Sequence, residues 1–158
     1  MEQIVKDMEE MGYIGDDLNK QLLYLTATSR KLDDPISVII VSESSSGKSY
    51  LIETVEKLMP PEDVISATSL SDQALNYIAK DGLKHKFLTL GEAIHSESVE
   101  HQIREMLSSK KLSRLVTVKD ERSGEMLTKL MTVDATVATA MSTTGNGVNP
   151  ENASRCFL

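Results

Sequence analysis

The chain has 158 residues, 40% of them hydrophobic, and a formal net charge of −7, which suits one cored domain and is too short for two comfortable ones. No apolar stretch approaches the roughly 20 residues of a membrane span, and the start Met1-Glu2-Gln3-Ile4-Val5-Lys6-Asp7 lacks the basic and apolar regions of a signal peptide, so a cytoplasmic protein with no membrane partner is expected. Cys156 is the only cysteine, which excludes an internal disulfide and a cysteine-cluster metal site. The histidines His85, His95 and His101 lack the spacing of a helical metal pair.

In chain order, Ile4, Met8 and Met11 predict a short helix that stops at Gly12. A second helix follows, with Asp16 or Asp17 as cap and Leu18, Leu22 and Leu25 as its apolar stripe, before Asp33-Asp34-Pro35 breaks the chain. Residues 1–35 thus form a helical lead-in to a core at 36–158. Ile36-Ser37-Val38-Ile39-Ile40-Val41 reads as a buried parallel strand. It feeds Ser42-Glu43-Ser44-Ser45-Ser46-Gly47-Lys48-Ser49 and then a helix from Tyr50 to Met59 carrying Leu51, Ile52, Val55, Leu58 and Met59.

A strand, a turn of small residues and a helix point successive backbone N–H groups into one concavity, which the positive end of the helix reinforces. The candidate ATP-binding residues are therefore Ser42, Ser44, Ser45, Ser46, Gly47, Lys48 and Ser49. Lys48 would reach the β- and γ-phosphates, and the Ser49 hydroxyl would be a ligand of Mg2+. Ser42 stands where the usual pattern has its first glycine. A Gly-Lys-Ser/Thr triplet arises by chance in roughly one chain in ten of this length, so the flanking strand and helix carry the signal against a plain serine-rich surface loop.

After the Pro60-Pro61 break, Val64-Ile65-Ser66-Ala67 predicts a second strand, and Ser69 or Ser71 would cap a helix with Ala74, Leu75, Ile78 and Ala79. Phe87-Leu88-Thr89-Leu90 predicts a third strand, and Val99, Ile103, Met106 and Leu107 the next helix. Leu115 to Lys119 and Met126 to Met131 flank a polar turn at Asp120 to Glu125, the pattern of a hairpin. Val133 to Met141 gives a last strand of small and β-branched residues. The expected fold is α/β: a three-layer P-loop arrangement on a mainly parallel sheet, with an inserted β-hairpin and N-terminal helices. The chain stops soon after that strand, at Arg155-Cys156-Phe157-Leu158, so a longer protein and no C-terminal lid in this stretch are expected.

ATP hydrolysis needs a carboxylate near the metal and γ-phosphate, at the end of a strand adjacent to the loop strand. Phe87-Leu88-Thr89-Leu90-Gly91-Glu92 supplies Glu92 as catalytic carboxylate, with Gly91 where the usual motif has aspartate; an exposed glutamate capping the next helix is the alternative. In oligomeric ATPases the strand between the loop and carboxylate strands ends in a polar residue that contacts the γ-phosphate; by likeness to them Thr143 is the choice, with Thr144 and Asn146 close competitors and a simple hydroxyl-rich turn equally open. Arg155 suits an arginine finger acting on a neighbouring subunit, or a surface ion pair. Charge is unevenly placed: residues 110–129 carry six basic against three acidic side chains, +3, leaving −10 for the remainder.

Ser42 to Ser49, Leu88 to Glu92, the hairpin before the last strand, Thr143 and Ser154-Arg155-Cys156-Phe157 together resemble the AAA+ family of P-loop ATPases. Within it, the hairpin is similar to the pre-sensor hairpin of replicative helicases of the minichromosome-maintenance type. Over nearly its full length the chain resembles the ATPase region of bacterial and mobile-element DNA primase and helicase proteins, through Gly12-Tyr13-Ile14-Gly15, Ser29 to Pro35 and Asn149-Pro150-Glu151-Asn152. The resemblance implies a homo-oligomeric ATPase in DNA replication whose hairpin lines a channel, with Lys119 and Arg122 on the backbone of single-stranded DNA. It departs from the pattern at Ser42, Gly91 and Cys156. A nucleotide-dependent switch or scaffold with little turnover is the competing reading, and a small-molecule kinase ranks last.

Overall fold

The computed structural model describes residues 1–41, 47–71, 74–91, 97–119 and 124–143. Four parallel strands form the central sheet in the order β1 (Ser37–Val41), β6 (Ala138–Thr143), β3 (Phe87–Leu90), β2 (Val64–Ala67). Strands β4 (Lys111–Lys119) and β5 (Met126–Asp134) form a separate antiparallel hairpin. Among the described residues no helix is long and apolar enough to cross a membrane.

Side chains alternate across the sheet and divide the core into two layers. Val38, Phe87, Ala138 and Ala140 pack with α1 (Glu2–Glu10), α2 (Asp17–Ser29) and α3 (Lys48–Lys57) through Met8, Leu23, Ala27, Leu51 and Val55. Ile39, Leu88, Leu90 and Met141 face the other way, onto Val99, Ile103, Met106 and Leu107 of α4 (Glu97–Ser109). The alanines of β6 leave room for α2 to lie over the middle of the sheet. The result is the expected three-layer α/β fold on a parallel sheet.

Polar contacts lock the connections. Arg30, at the end of α2, donates from Nε and Nη2 to Asp63 Oδ2 at 3.2 and 3.1 Å, and Lys31 reaches the same oxygen at 2.7 Å. The hydrogen bond from Lys31, helped by Arg30 and opposed by burial, holds the Asp63 carboxyl below its ordinary range. On the face of the sheet that α3 covers, the Thr89 hydroxyl donates to Glu56 of that helix.

The hairpin is rooted by Leu112 and Val133, register partners that are both buried in the α4 layer. Its exit is clamped by Asp134: the Thr136 N–H and hydroxyl donate to Oδ1 at 3.0 and 2.8 Å, and Lys84 Nζ lies 3.1 Å from Oδ2. Burial alone would raise the Asp134 pKa, but the two Thr136 hydrogen bonds and the Lys84 charge overcome it and pull the value from 3.8 down to about 2.

Four expectations are corrected. The Leu18, Leu22, Leu25 stripe of α2 is not the core face: Leu18 and Leu25 are exposed, and the helix buries Leu23, Thr26 and Ala27 instead. The helix expected over Ala74, Leu75, Ile78 and Ala79 is a single 3₁₀ turn, Ala74–Tyr77. The strand expected over Val133 to Met141 is split, because the Asp134 clamp turns the chain between β5 and β6. Finally, β6 lies between β1 and β3, as the choice of Thr143 required, so the strand leading to Glu92 is one removed from the loop strand rather than adjacent to it, as the carboxylate reading had it.

Candidate nucleotide-binding site

The strands are parallel, so their C-terminal ends share one edge of the sheet, where crevices of open α/β folds bind ligands. β1 ends there at Val41 and β6 at Thr143, which are direct register partners. Thr143 is buried. The structure thus brings the γ-phosphate candidate beside the residue from which the serine-rich loop departs, as a polar end to the strand between the loop and carboxylate strands.

The chain re-enters the described region at Gly47, whose φ of 86° lies in the left-handed region and which forms the N-cap of α3. Glycine adopts that conformation without the Cβ penalty. The first bond of the helix runs from Leu51 N–H to Gly47 C=O at 3.0 Å, and the N–H groups of a helix's first turn have no intrahelical acceptor. No acidic residue lies in this first turn. Lys48 is half-buried and Ser49 exposed. A positive helix end, a lysine and an exposed serine are groups that a seat for phosphate oxygens can use.

Sequence reasoning missed one wall of this seat. Tyr13 lies against Gly47, with its ring edge 4.0 Å from where a Cβ would stand. Tyr13 and Tyr50 pack with ring centres 5.9 Å apart, and the Tyr50 hydroxyl donates to Met11 C=O at 2.7 Å. Gly12, at φ 97°, holds a conformation that side chains rarely adopt, and a Cβ there would sit 2.8 Å from the Tyr50 oxygen, which would have to shift. On the other side, the buried Lys20 ammonium lies 5.8 Å from the Tyr13 ring centre and pairs with Glu9 and Asp17 at 3.4 and 3.2 Å. Burial, then the Asp16 charge, push the Tyr13 phenol above 10.0, so it stays neutral at physiological pH. The available signal was Gly12-Tyr13-Ile14-Gly15, quoted above only for likeness.

Gly91 follows β3 and donates its N–H to Ala67 C=O at 2.9 Å. A Cβ there would stand 3.1 Å from Thr68 Cα and 3.2 Å from its carbonyl oxygen. The residue in the usual aspartate position is therefore crowded by backbone, which gives its identity a packing reason. Ser42, Ser44, Ser45, Ser46, Glu92, Arg122, Thr144, Asn146 and Arg155 lie outside the described residues. Lys119 ends β4 opposite Met126, exposed and at the far end of the hairpin from its buried root.

A family model described as the MTBMA_p00010 P-loop domain matches residues 2–141. The chain belongs to that family. A P-loop is a phosphate cradle between a strand and a helix, and the candidate for it in this P-loop domain lies between β1 and α3. Among the solved structures similar to this P-loop domain, NtrX from Brucella abortus is 14% identical with a TM-score of 0.48, the match covering 96% of this chain and 35% of that one. The apo C-terminal region of NrS-1 is 12% identical with a TM-score of 0.47, covering 92% and 33%. This P-loop domain spans about a third of the length of either chain. No curated protein matches its sequence.

Proposed function

We propose that this P-loop domain is the ATP-binding core of an oligomeric DNA motor of the replication-helicase or primase-associated kind, coupling ATP hydrolysis to DNA binding or unwinding. The observation that supports it most is the pairing of Thr143 with Val41: a buried polar strand end stands beside the last residue before the serine-rich loop, and in this reading it reports on the γ-phosphate. In this reading the N–H groups at the start of α3 and the Lys48 ammonium hold the phosphates. The Ser49 hydroxyl would hold Mg2+, which when bound neutralises charge on the β- and γ-phosphate oxygens. Tyr13 walls the side of the seat, Glu92 orients and deprotonates the attacking water, and Arg155 reaches the phosphate held by a neighbouring copy. Lys119 and Arg122 contact the backbone of single-stranded DNA without reading bases.

Gly91 favours a second reading, a nucleotide-dependent switch with little turnover. The 3.1 Å approach to Thr68 means that the side chain carrying the second carboxylate of fast hydrolysis would press on backbone at this position. The test is ATP binding and hydrolysis by the longest soluble form of the protein, with and without single-stranded DNA, beside Lys48→Ala and Glu92→Gln. Lys48→Ala is expected to abolish binding; equal binding by that variant sinks the phosphate-loop assignment. DNA-stimulated turnover lost in both variants supports the motor, whereas tight binding without turnover supports the switch.

A further inference from the structure

The large apolar side chains that this fold leaves in solvent concentrate in two places. One is the hairpin. Register partners share a face, so Leu115 and Leu130 stand side by side, 72% and 67% exposed, with Met126 and Lys119 farther out on the same face. An isolated two-stranded hairpin is marginal in water, and only the root of this one is buried. The other place is α2, whose unburied stripe presents Leu18 and Leu25, 77% and 48% exposed, with Ile14 just before it at 84%. This helix is apolar on two sides, and its own core uses one.

The two patches differ in charge and location. Strands β4 and β5 carry four basic side chains against Asp134, a net +3, whereas residues 1–29, which hold α1 and α2, carry six carboxylates against Lys6 and Lys20, −4, most of it on α1. The hairpin is rooted in the α4 layer and α2 packs on the opposite face of the sheet, so the two patches of one molecule do not cover each other. We infer that the hairpin face of one copy docks on the outer stripe of α2 in a second copy, apolar against apolar, with basic and acidic surroundings matched. Such a contact joins two different surfaces, so it propagates from copy to copy and closes into a ring or runs on as a filament. Strands of nine residues are about 30 Å long, so the face is small beside the ~800 Å² per partner of a standard interface, and assembly is concentration-dependent and weakened by salt. The inference does not rest on nucleotide binding. It uses the stem of the hairpin and leaves the tip to DNA.

The experiment is sedimentation velocity of the full chain without nucleotide, over a concentration series at low and high salt. The expected result is a sedimentation coefficient that rises with concentration, less so in high salt. Leu115→Ser with Leu130→Ser, and separately Leu18→Ser with Leu25→Ser, should each shift assembly to at least tenfold higher concentration. Mixed, the two variants keep one intact hairpin and one intact stripe and should form a heterodimer that grows no further. All four positions are exposed, so the variants should keep the wild-type circular dichroism. A monomer at all concentrations, assembly unchanged in every variant, or a mixture that fails to pair overturns the inference. So does a hairpin variant that assembles normally but loses single-stranded DNA binding, which would assign the stem to nucleic acid.

Discussion

The Asp134 clamp permits a quantitative test of how the hairpin is held on the sheet. Its carboxylate accepts two hydrogen bonds from Thr136 and faces Lys84 at 3.1 Å, and its pKa falls from 3.8 to about 2. At roughly 1.4 kcal/mol for each tenfold change in proton affinity, that drop corresponds to about 2 kcal/mol of stability at neutral pH. A carboxyl with a depressed folded pKa contributes fully above its unfolded value, and the contribution is lost as pH falls through the folded one. The window therefore runs from about pH 4 down to about pH 2. Asp134→Asn keeps an acceptor for Thr136 but removes the charge opposite Lys84, so a loss of about 1 to 2 kcal/mol is expected at pH 7. Urea unfolding of both proteins at pH 7, 5, 4 and 3 isolates the group, because every other carboxylate titrates alike in the two. The difference should hold constant to about pH 4 and begin to shrink by pH 3. A difference that is absent at pH 7, or that stays constant through pH 3, would refute the assignment of the clamp to an ionised Asp134.

Other outcomes follow from single contacts. Gly91→Asp, which restores the usual acidic pair in sequence, should cost about 1 to 3 kcal/mol in thermal or urea unfolding, since its Cβ must displace the Thr68 backbone; a stable variant with faster ATP turnover would show that this crowding is not what excludes aspartate. Gly12→Ala should destabilise by at least about 1 kcal/mol, from its φ of 97° and the 2.8 Å approach to Tyr50, and unchanged unfolding would remove the claim that Gly12 is required beside the phosphate seat. Replacing Lys119 and Arg122 together by Ala should weaken single-stranded DNA binding and flatten its salt dependence by about one phosphate contact per residue. A salt slope equal to that of the wild type would count against both assignments.

Much of the framework can be read directly from the residues. Val64–Ala67 and Phe87–Leu90 are strands with the bounds their apolar runs imply, and Val99, Ile103, Met106 and Leu107 are the buried side of α4. Strand, small-residue loop and helix around Gly47 follow from composition and spacing within a dozen residues, because turn conformation and helix periodicity are local properties. Non-local choices required the tertiary structure. Helix α2 has two apolar sides, and only packing over Ala138 and Ala140 decides that Leu23 and Ala27 go inside while Leu18 and Leu25 stay out. The place of β6 between β1 and β3, which sets Thr143 beside Val41, arises from pairing between segments about a hundred and about fifty residues apart. Tyr13 against Gly47, and Thr68 against Gly91, are close approaches between chain segments, and no local pattern encodes a distance between residues that meet only when the sheet and its layers assemble.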